Sequence, residues 1–136
     1  MKYLGVDYGD VRTGLAVSDA LGFLATPIET VTEPDAEKLK DLILAAAKKQ
    51  GAGVIVLGFP RNMNGTVGER GERTLALKRA LEAEFEGEVV LRDERCTTIS
   101  AHRVLNETNT RGKKRKAVID TLSATIILQD YLDGLK

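Results

Sequence analysis

Short apolar runs and stripes of apolar residues at three- and four-residue steps alternate along the chain and set out an order of elements. Tyr3 to Val6 and Leu15 to Val17 are two brief apolar runs joined by a polar, glycine-containing connection, the pattern of an antiparallel hairpin. Gly22 to Ile28 predicts a third, shorter strand, in which Pro27, with no N–H to donate, belongs at a strand end or a sheet edge. Thr32-Glu33-Pro34-Asp35 predicts a helix start: a capping threonine, a proline in the first turn, and acids near the positive end of the dipole. Leu39, Leu42, Ile43, Ala46 and Ala47 then form an apolar stripe, and Gly51 takes the C-terminal cap position.

Val54 to Leu57 is an unbroken apolar run between glycines, which predicts a central, parallel strand buried on both faces. The loop from Gly58 to Thr66 follows its C-terminal end, the edge where ligands bind in open α/β sheets. Leu77, Leu81 and Phe85 align at i, i+4 and i+8 on the next helix, whose early turns carry Glu69 and Arg73 as a solvated pair. Glu88 to Glu94 predicts a fifth strand ending in acids. Thr97 or Thr98 would cap a short helix through Val104 and Leu105; a basic segment follows, and then a last helix from about Ala117 to Asp133. The predicted class is α/β: a mixed five-stranded sheet with strands 1-2-3 antiparallel, strands 1-4-5 parallel, and helices on both faces.

The 136 residues contain no linker or low-complexity stretch, so residues 1–136 are expected to form one domain. Hydrophobic residues at 43% and charged residues at 29% are the proportions of a globular protein. No apolar run approaches the roughly 18–20 residues needed to cross a bilayer. The first strand starts right after Lys2, which predicts no secretory signal. A lone cysteine, Cys96, excludes an internal disulfide framework and fits a reducing cytoplasm. One Cys and one His cannot build a zinc site of the usual spacing, so any metal would be held by carboxylates, which points to magnesium or manganese. Formal net charge is zero, but Arg111, Lys113, Lys114, Arg115 and Lys116 place five cations in six positions with no acid among them.

Three acids stand out by position. Asp7 ends the first strand, where a bare carboxylate costs free energy unless a metal ion, a metal-held phosphate or Arg12 meets it. The plainer alternative is an acceptor of turn hydrogen bonds with Gly9. Glu94 ends the fifth strand. Asp120 lies near the start of the last predicted helix amid Val118, Ile119 and Leu122, and shares a face with Ser123, Ala124 and Ile127, small enough to let the helix lie close to a sheet. Taken singly, these acids also read as a turn acceptor, a strand-end charge and a helix N-terminal acid. Converging from three distant segments, they suit an oxygen-ligated divalent metal.

Four ordered motifs now carry a resemblance: Asp-x-Gly-x-x-Arg-x-Gly at 7–14, Gly-Phe-Pro with Asn-Gly-Thr at 58–66, Asp-Glu-Arg with trailing threonines at 93–98, and Ile-Asp-x-x-x-Ala-x-x-Ile-Leu-Gln-x-Tyr-Leu at 119–132. Together they resemble the YqgF/RuvX family, pre-16S rRNA nucleases also described as Holliday-junction-resolvase-like proteins. The match runs almost end to end. The resemblance implies a ribonuclease H-like fold and places Asp7, Glu94 and Asp120 on the family's acidic catalytic positions. Ser123 stands where the family usually has alanine, and Asn64 where an aspartate is common, which makes that loop a poorer metal-ligand candidate.

Crowded carboxylates repel, and a divalent cation removes that penalty. The expected cofactor is Mg2+ or Mn2+, as two ions about 4 Å apart clamping a scissile phosphate, one activating water and the other stabilising the leaving oxygen. Asp7 would bridge them. Lys113, Lys114, Arg115 and Lys116 are the candidate phosphate clamp, with a solvated loop as the alternative. Arg12 would contact a phosphate or pair with Asp7 or Asp10, and Asn64 lies in a loop that would read substrate shape. Tyr8 is a candidate for stacking on a base, but aromatics at 4% make no stacking platform of the single-strand-binding kind. Gly9 and Gly14 are candidates for clearance of a phosphate backbone, and His102 for a helix surface rather than a general base. The expected substrate is the 5′ end of pre-16S rRNA. The alternatives are a four-way DNA junction, which would require a two-fold dimer, and non-catalytic RNA binding in ribosome maturation. An actin-like kinase is disfavoured by length and by the missing second phosphate loop.

Overall fold

Alternation of apolar residues across the strands builds two cores, one on each face of a five-stranded sheet. The computed structural model describes residues 1–9, 11–59, 68–93 and 112–135, with Asp93 and residues 112–121 described by backbone alone. The elements are β1 (Lys2–Asp7), β2 (Arg12–Ser18), β3 (Ala25–Thr32), α1 (Ala36–Gln50), β4 (Ala52–Phe59), α2 (Glu69–Glu84), β5 (Glu88–Asp93) and α3 (Gly112–Gly134). The sheet order is β3-β2-β1-β4-β5, antiparallel for β1–β2 and β2–β3 and parallel for β1–β4 and β4–β5, as the sequence predicts. Residues 94–111, which include the short helix expected after Thr97, lie outside the described residues.

Strand β4 shows why the sheet has two covered faces. Its residues from Val54 to Phe59 are all buried. Ile55 and Leu57 join Leu4, Val6 and Leu15 against Leu39, Ile43 and Ala47 of α1 and Leu77 and Leu81 of α2. Val54 and Val56 face the other way, into a second core with Ala124, Ile127, Leu128 and Leu132 of α3. A strand covered on both sides has no polar face to alternate, so its sequence reads as a continuous apolar run.

Two boundaries differ most from expectation, besides β4 running on through Gly58 and Phe59, which the sequence places in the following loop. Strand β3 runs from Ala25 to Thr32, not from Gly22 to Ile28. Residues 19–24 are a turn instead: an Asp19 carboxylate oxygen accepts from the Phe23 amide at 2.8 Å and Gly22 is left-handed at φ 73°. That amide, with those of Leu24 and Gly22, holds the Asp19 carboxyl below its ordinary pKa. Thr32 therefore ends a strand, and the cap of α1 is Asp35, which accepts from the Glu37 and Lys38 amides. Pro27 sits within β3, tolerated because that strand pairs on one side only. On α1, Leu39, Ile43 and Ala47 face the core while Leu42 is 42% exposed, and Gly51 closes the helix at φ 70°. Lys40, paired with Glu84 and Glu37, ties α1 to α2, and those hydrogen bonds raise its pKa.

The second difference is α3. It begins at Gly112, not near Ala117, so Lys113 to Lys116 lie in its first turns and Asp120 about two turns in. Lysine and arginine are good helix formers, and nothing from Lys113 to Asp133 breaks the run. The face with small residues packs as expected: Ser123, Ala124, Ile127 and Leu128 are buried. The approach is close. A Cβ added to Gly5 of β1 would stand 2.7 Å from the Leu128 Cβ and 3.0 Å from the Ala124 carbonyl oxygen.

The C-terminal half of α3 explains part of the 119–132 motif in structural terms. The Gln129 side-chain oxygen accepts from the Ala25 amide and its nitrogen donates to the Phe23 carbonyl, each at 2.9 Å, which clamps the β2–β3 turn. Tyr131 lies 5.9 Å from Tyr3, centroid to centroid, and burial raises its phenol pKa. Arg92 of β5 pairs with Asp130 at 2.7 Å. Among the described residues no helix is long and apolar enough to cross a membrane.

Ser123 is 1% exposed and its Oγ has no hydrogen-bond partner among the described residues. A buried orphan hydroxyl costs roughly 1–3 kcal/mol of desolvation. Ser123→Ala is therefore expected to stabilise the fold by about 1 kcal/mol, read as a higher urea midpoint at unchanged m-value. A lower midpoint would show that the hydroxyl is satisfied.

Candidate active site

Of the candidate acids, the one with a described side chain lies at the C-terminal edge of the parallel strands. Strand β1 is the middle strand, and its last residue, Asp7, pairs in register with Gly14 and is half-buried. Leu4 and Val6 anchor the strand in the α1–α2 core, so Asp7 is delivered to the sheet margin at the end of an apolar run. The fifth strand ends at Asp93, paired with Phe59 of β4. With β4 between them, the ends of β1 and β5 stand about 10 Å apart. Glu94 follows directly, outside the described residues, as do Asp10, Asn64, Cys96 and His102. Asp120 is carried by α3, which packs on β1, β2 and β3, over the face of the strand that carries Asp7. Lys113, Lys114, Arg115 and Lys116 precede it on the same helix.

The hairpin after Asp7 places Tyr8, Gly9, Arg12 and Gly14. Tyr8 is only 9% exposed and belongs to the α1–α2 core, so it is no stacking platform for a base. Gly9 is required by the turn itself, because a Cβ there would run into the Arg12 carbonyl oxygen. Its amide donates to the buried Thr13 Oγ1 at 3.5 Å, a long bond. Gly14 is taken up in the β1–β2 ladder opposite Asp7. Arg12 opens β2, half-buried and opposite Thr32 of β3.

One residue at this edge was not expected. Arg70, in the first turn of α2, donates from Nη2 to the Tyr8 carbonyl oxygen at 2.9 Å, across 62 positions of sequence. In the sequence it sits beside Glu69 and Arg73, which suggested only a solvated helix face. The available signal was its place in the first turn after the loop that follows β4, at the ligand-binding edge of the sheet.

Carboxylate oxygens at the end of a central strand suit a hard divalent ion of the magnesium or manganese kind. Among the described residues no three His, Cys, Asp or Glu side chains form a metal-holding group, and of the three candidate acids only the Asp7 side chain is described. Its half-buried position at the strand end fits the role of an oxygen ligand.

Comparison with known proteins agrees with this architecture. A family model described as RuvX, Holliday junction resolvase, matches residues 1–134. A relative from Clostridium novyi (strain NT), provisionally named a pre-16S rRNA nuclease, is 42% identical over 135 residues, covering 99% of this chain and 100% of the relative. A relative from Geobacillus sp. (strain WCH70) with the same provisional name is 43% identical over 140 residues, covering 98% of this chain and 99% of its own. Among solved structures, T. thermophilus RuvC in complex with a Holliday junction substrate superposes at a TM-score of 0.63 with 13% identity, covering 99% and 95% of the two chains. The fowlpox virus resolvase in complex with Holliday junction DNA gives 0.58 with 10% identity, covering 99% of each. These two likenesses establish the fold. The chain has a ribonuclease H-like fold and belongs to the RuvX family of nucleases.

Proposed function

We propose that this chain is a divalent-metal-dependent endonuclease that hydrolyses phosphodiester bonds of structured nucleic acid, and that its substrate is the 5′ end of precursor 16S rRNA. The observation that carries the reading is the delivery of Asp7 to the margin of the middle strand beneath α3, the helix that bears Asp120. Residues 1–136 act as one nuclease domain in the cytoplasm. Asp7, Glu94 and Asp120 would hold Mg2+ or Mn2+. Bound there, such ions supply Lewis acidity to the phosphate and lower the pKa of an attacking water.

The chain's own residues bind and orient the substrate. Lys113, Lys114, Arg115 and Lys116 hold backbone phosphates on the approach to Asp120, and Arg12 and Asn64 contact the substrate nearer the hairpin. Four cations in the opening turns of a helix with no acid in its first turn oppose the helix dipole. That arrangement is expected where an anionic ligand offsets the cost.

A second reading is favoured by the family description and by the relatedness of the fold to junction resolvases. It is cleavage of four-way DNA junctions, which requires two sites and hence a homodimer. The test is side-by-side cleavage of a 16S rRNA 5′ precursor and a four-way DNA junction by one preparation, with and without Mn2+. Manganese-dependent cleavage of the precursor at a defined site, with the junction left whole, is the expected result. Cutting of the junction alone would favour the second reading. Tight RNA binding without cleavage of either substrate would make the protein a non-catalytic maturation factor.

A further inference from the structure

We infer that Arg70 is a positioning residue for the metal site, fixing the Tyr8–Gly9 peptide, the second after Asp7; this rests on the reading of Asp7 as a metal ligand. The β1–β2 ladder ends at the Asp7–Gly14 pair. Beyond it the hairpin turns, and among the described residues the Gly9 amide donates to Thr13 Oγ1 over a long 3.5 Å. The Tyr8 carbonyl, one peptide past Asp7, receives the Arg70 Nη2 at 2.9 Å. The Tyr8 ring is meanwhile anchored in the core. The Tyr8 side chain is thus secured in the core and its carbonyl from α2, so the Tyr8–Gly9 peptide, one unit beyond the bond joining Asp7 to Tyr8, is held on both counts.

The helix end that supplies Arg70 is itself well fixed. Thr74, 1% exposed, donates its hydroxyl to the Arg70 carbonyl at 2.9 Å, and Gly71 is buried beside it. The guanidinium is a charged donor, so its bond to a carbonyl is stronger than a neutral one. Groups that orient a ligand residue without touching the ion matter nearly as much as the ligands, and their loss typically costs 10–100-fold in metal affinity or activity. Arg70 fits that role by backbone contact. It links the segment carrying Asp7 to the helix that follows β4, so one hydrogen bond couples two parts of the catalytic edge.

The experiment is Mn2+ binding by calorimetry to the full chain and to Arg70→Ala, Arg70→Lys and Asp7→Asn, with thermal melts of the metal-free proteins and the salt dependence of nucleic-acid binding. Arg70→Ala is expected to melt near the wild-type temperature, to bind Mn2+ about 10-fold or more weakly, and to keep the wild-type salt slope. Arg70→Lys, which keeps the charge but not the fork, is expected to fall between them and serves as the test if the alanine variant does not fold. Unchanged Mn2+ affinity in the folded variant would overturn the inference. A salt slope reduced by about one at unchanged Mn2+ affinity would also overturn it, since Arg70 would then be a phosphate contact. The two readings fail separately. A wild-type chain that binds no Mn2+, or Asp7→Asn binding it as tightly as wild type, defeats the metal-site reading itself. Normal binding by Arg70→Ala alone defeats only the role of Arg70.

Discussion

Asp7→Asn leaves the fold intact and lowers magnesium- or manganese-dependent cleavage on the order of 10³-fold or more. Asparagine has the shape of aspartate but lacks its charge, and Asp7 is half-buried at a strand end where that shape fills no closed core. The ladder partner Gly14 contacts the backbone, which is unchanged. What is lost is an anionic oxygen of the set that would hold the metal. Removing one member of a group that acts as a unit costs nearly as much as removing all of it, so Glu94→Gln and Asp120→Asn should give losses of similar size. The measurement is single-turnover cleavage at saturating Mn2+, with circular-dichroism melts to show that each variant folds. Full cleavage by Asp7→Asn would sink the mechanism.

The second large effect belongs to the start of α3. Replacing Lys113, Lys114, Arg115 and Lys116 with alanine should weaken nucleic-acid binding by about 10²-fold in low salt and flatten the salt dependence. Four phosphate contacts at roughly 0.7–0.9 each account for a slope of about −3 to −4, which the variant would lose. The same change removes four cations from the positive end of a helix with no compensating acid in its first turn. Each such cation is unfavourable by about 0.3–1 kcal/mol at low ionic strength. The variant should therefore bind worse while melting at the same temperature or higher. Binding titrations across a salt series and a thermal melt read both quantities. Unchanged affinity would mean that the cations only solvate the helix.

Much of this architecture was legible because it is periodic. The run from Val54 to Leu57 announced a strand covered on both faces, and the small residues after Asp120 announced a helix lying close on the sheet. Asp7 was legible from its place at the end of an apolar run. Boundaries were less so. Gly22 to Leu24 reads as strand by composition, but the Asp19 carboxylate captures those amides into a turn, a local competition that propensity does not express. The start of α3 was hidden because a charge run resembles a loop, although lysine and arginine are good helix formers. Arg70 was missed for a different reason: its partner is a backbone carbonyl 62 positions away, and a carbonyl leaves no mark in a sequence. Gln129 likewise reads as a family signature, whereas its observed work is to clamp a turn.

Gly5 lies two residues before Asp7, and Ala124 lies one turn after Asp120. Between them there is no room for a methyl group: an added Cβ would meet the Leu128 Cβ at 2.7 Å and the Ala124 carbonyl at 3.0 Å. On the proposed reading, this contact acts as a gauge. Any side chain at position 5 would lever the helix outward and widen the gap across which strand and helix must share ions. Oxygen–magnesium distances of about 2.0–2.1 Å tolerate little such widening, while larger cations accept longer bonds. Ionic radius would then be selected by an absent atom at a position that ligates nothing.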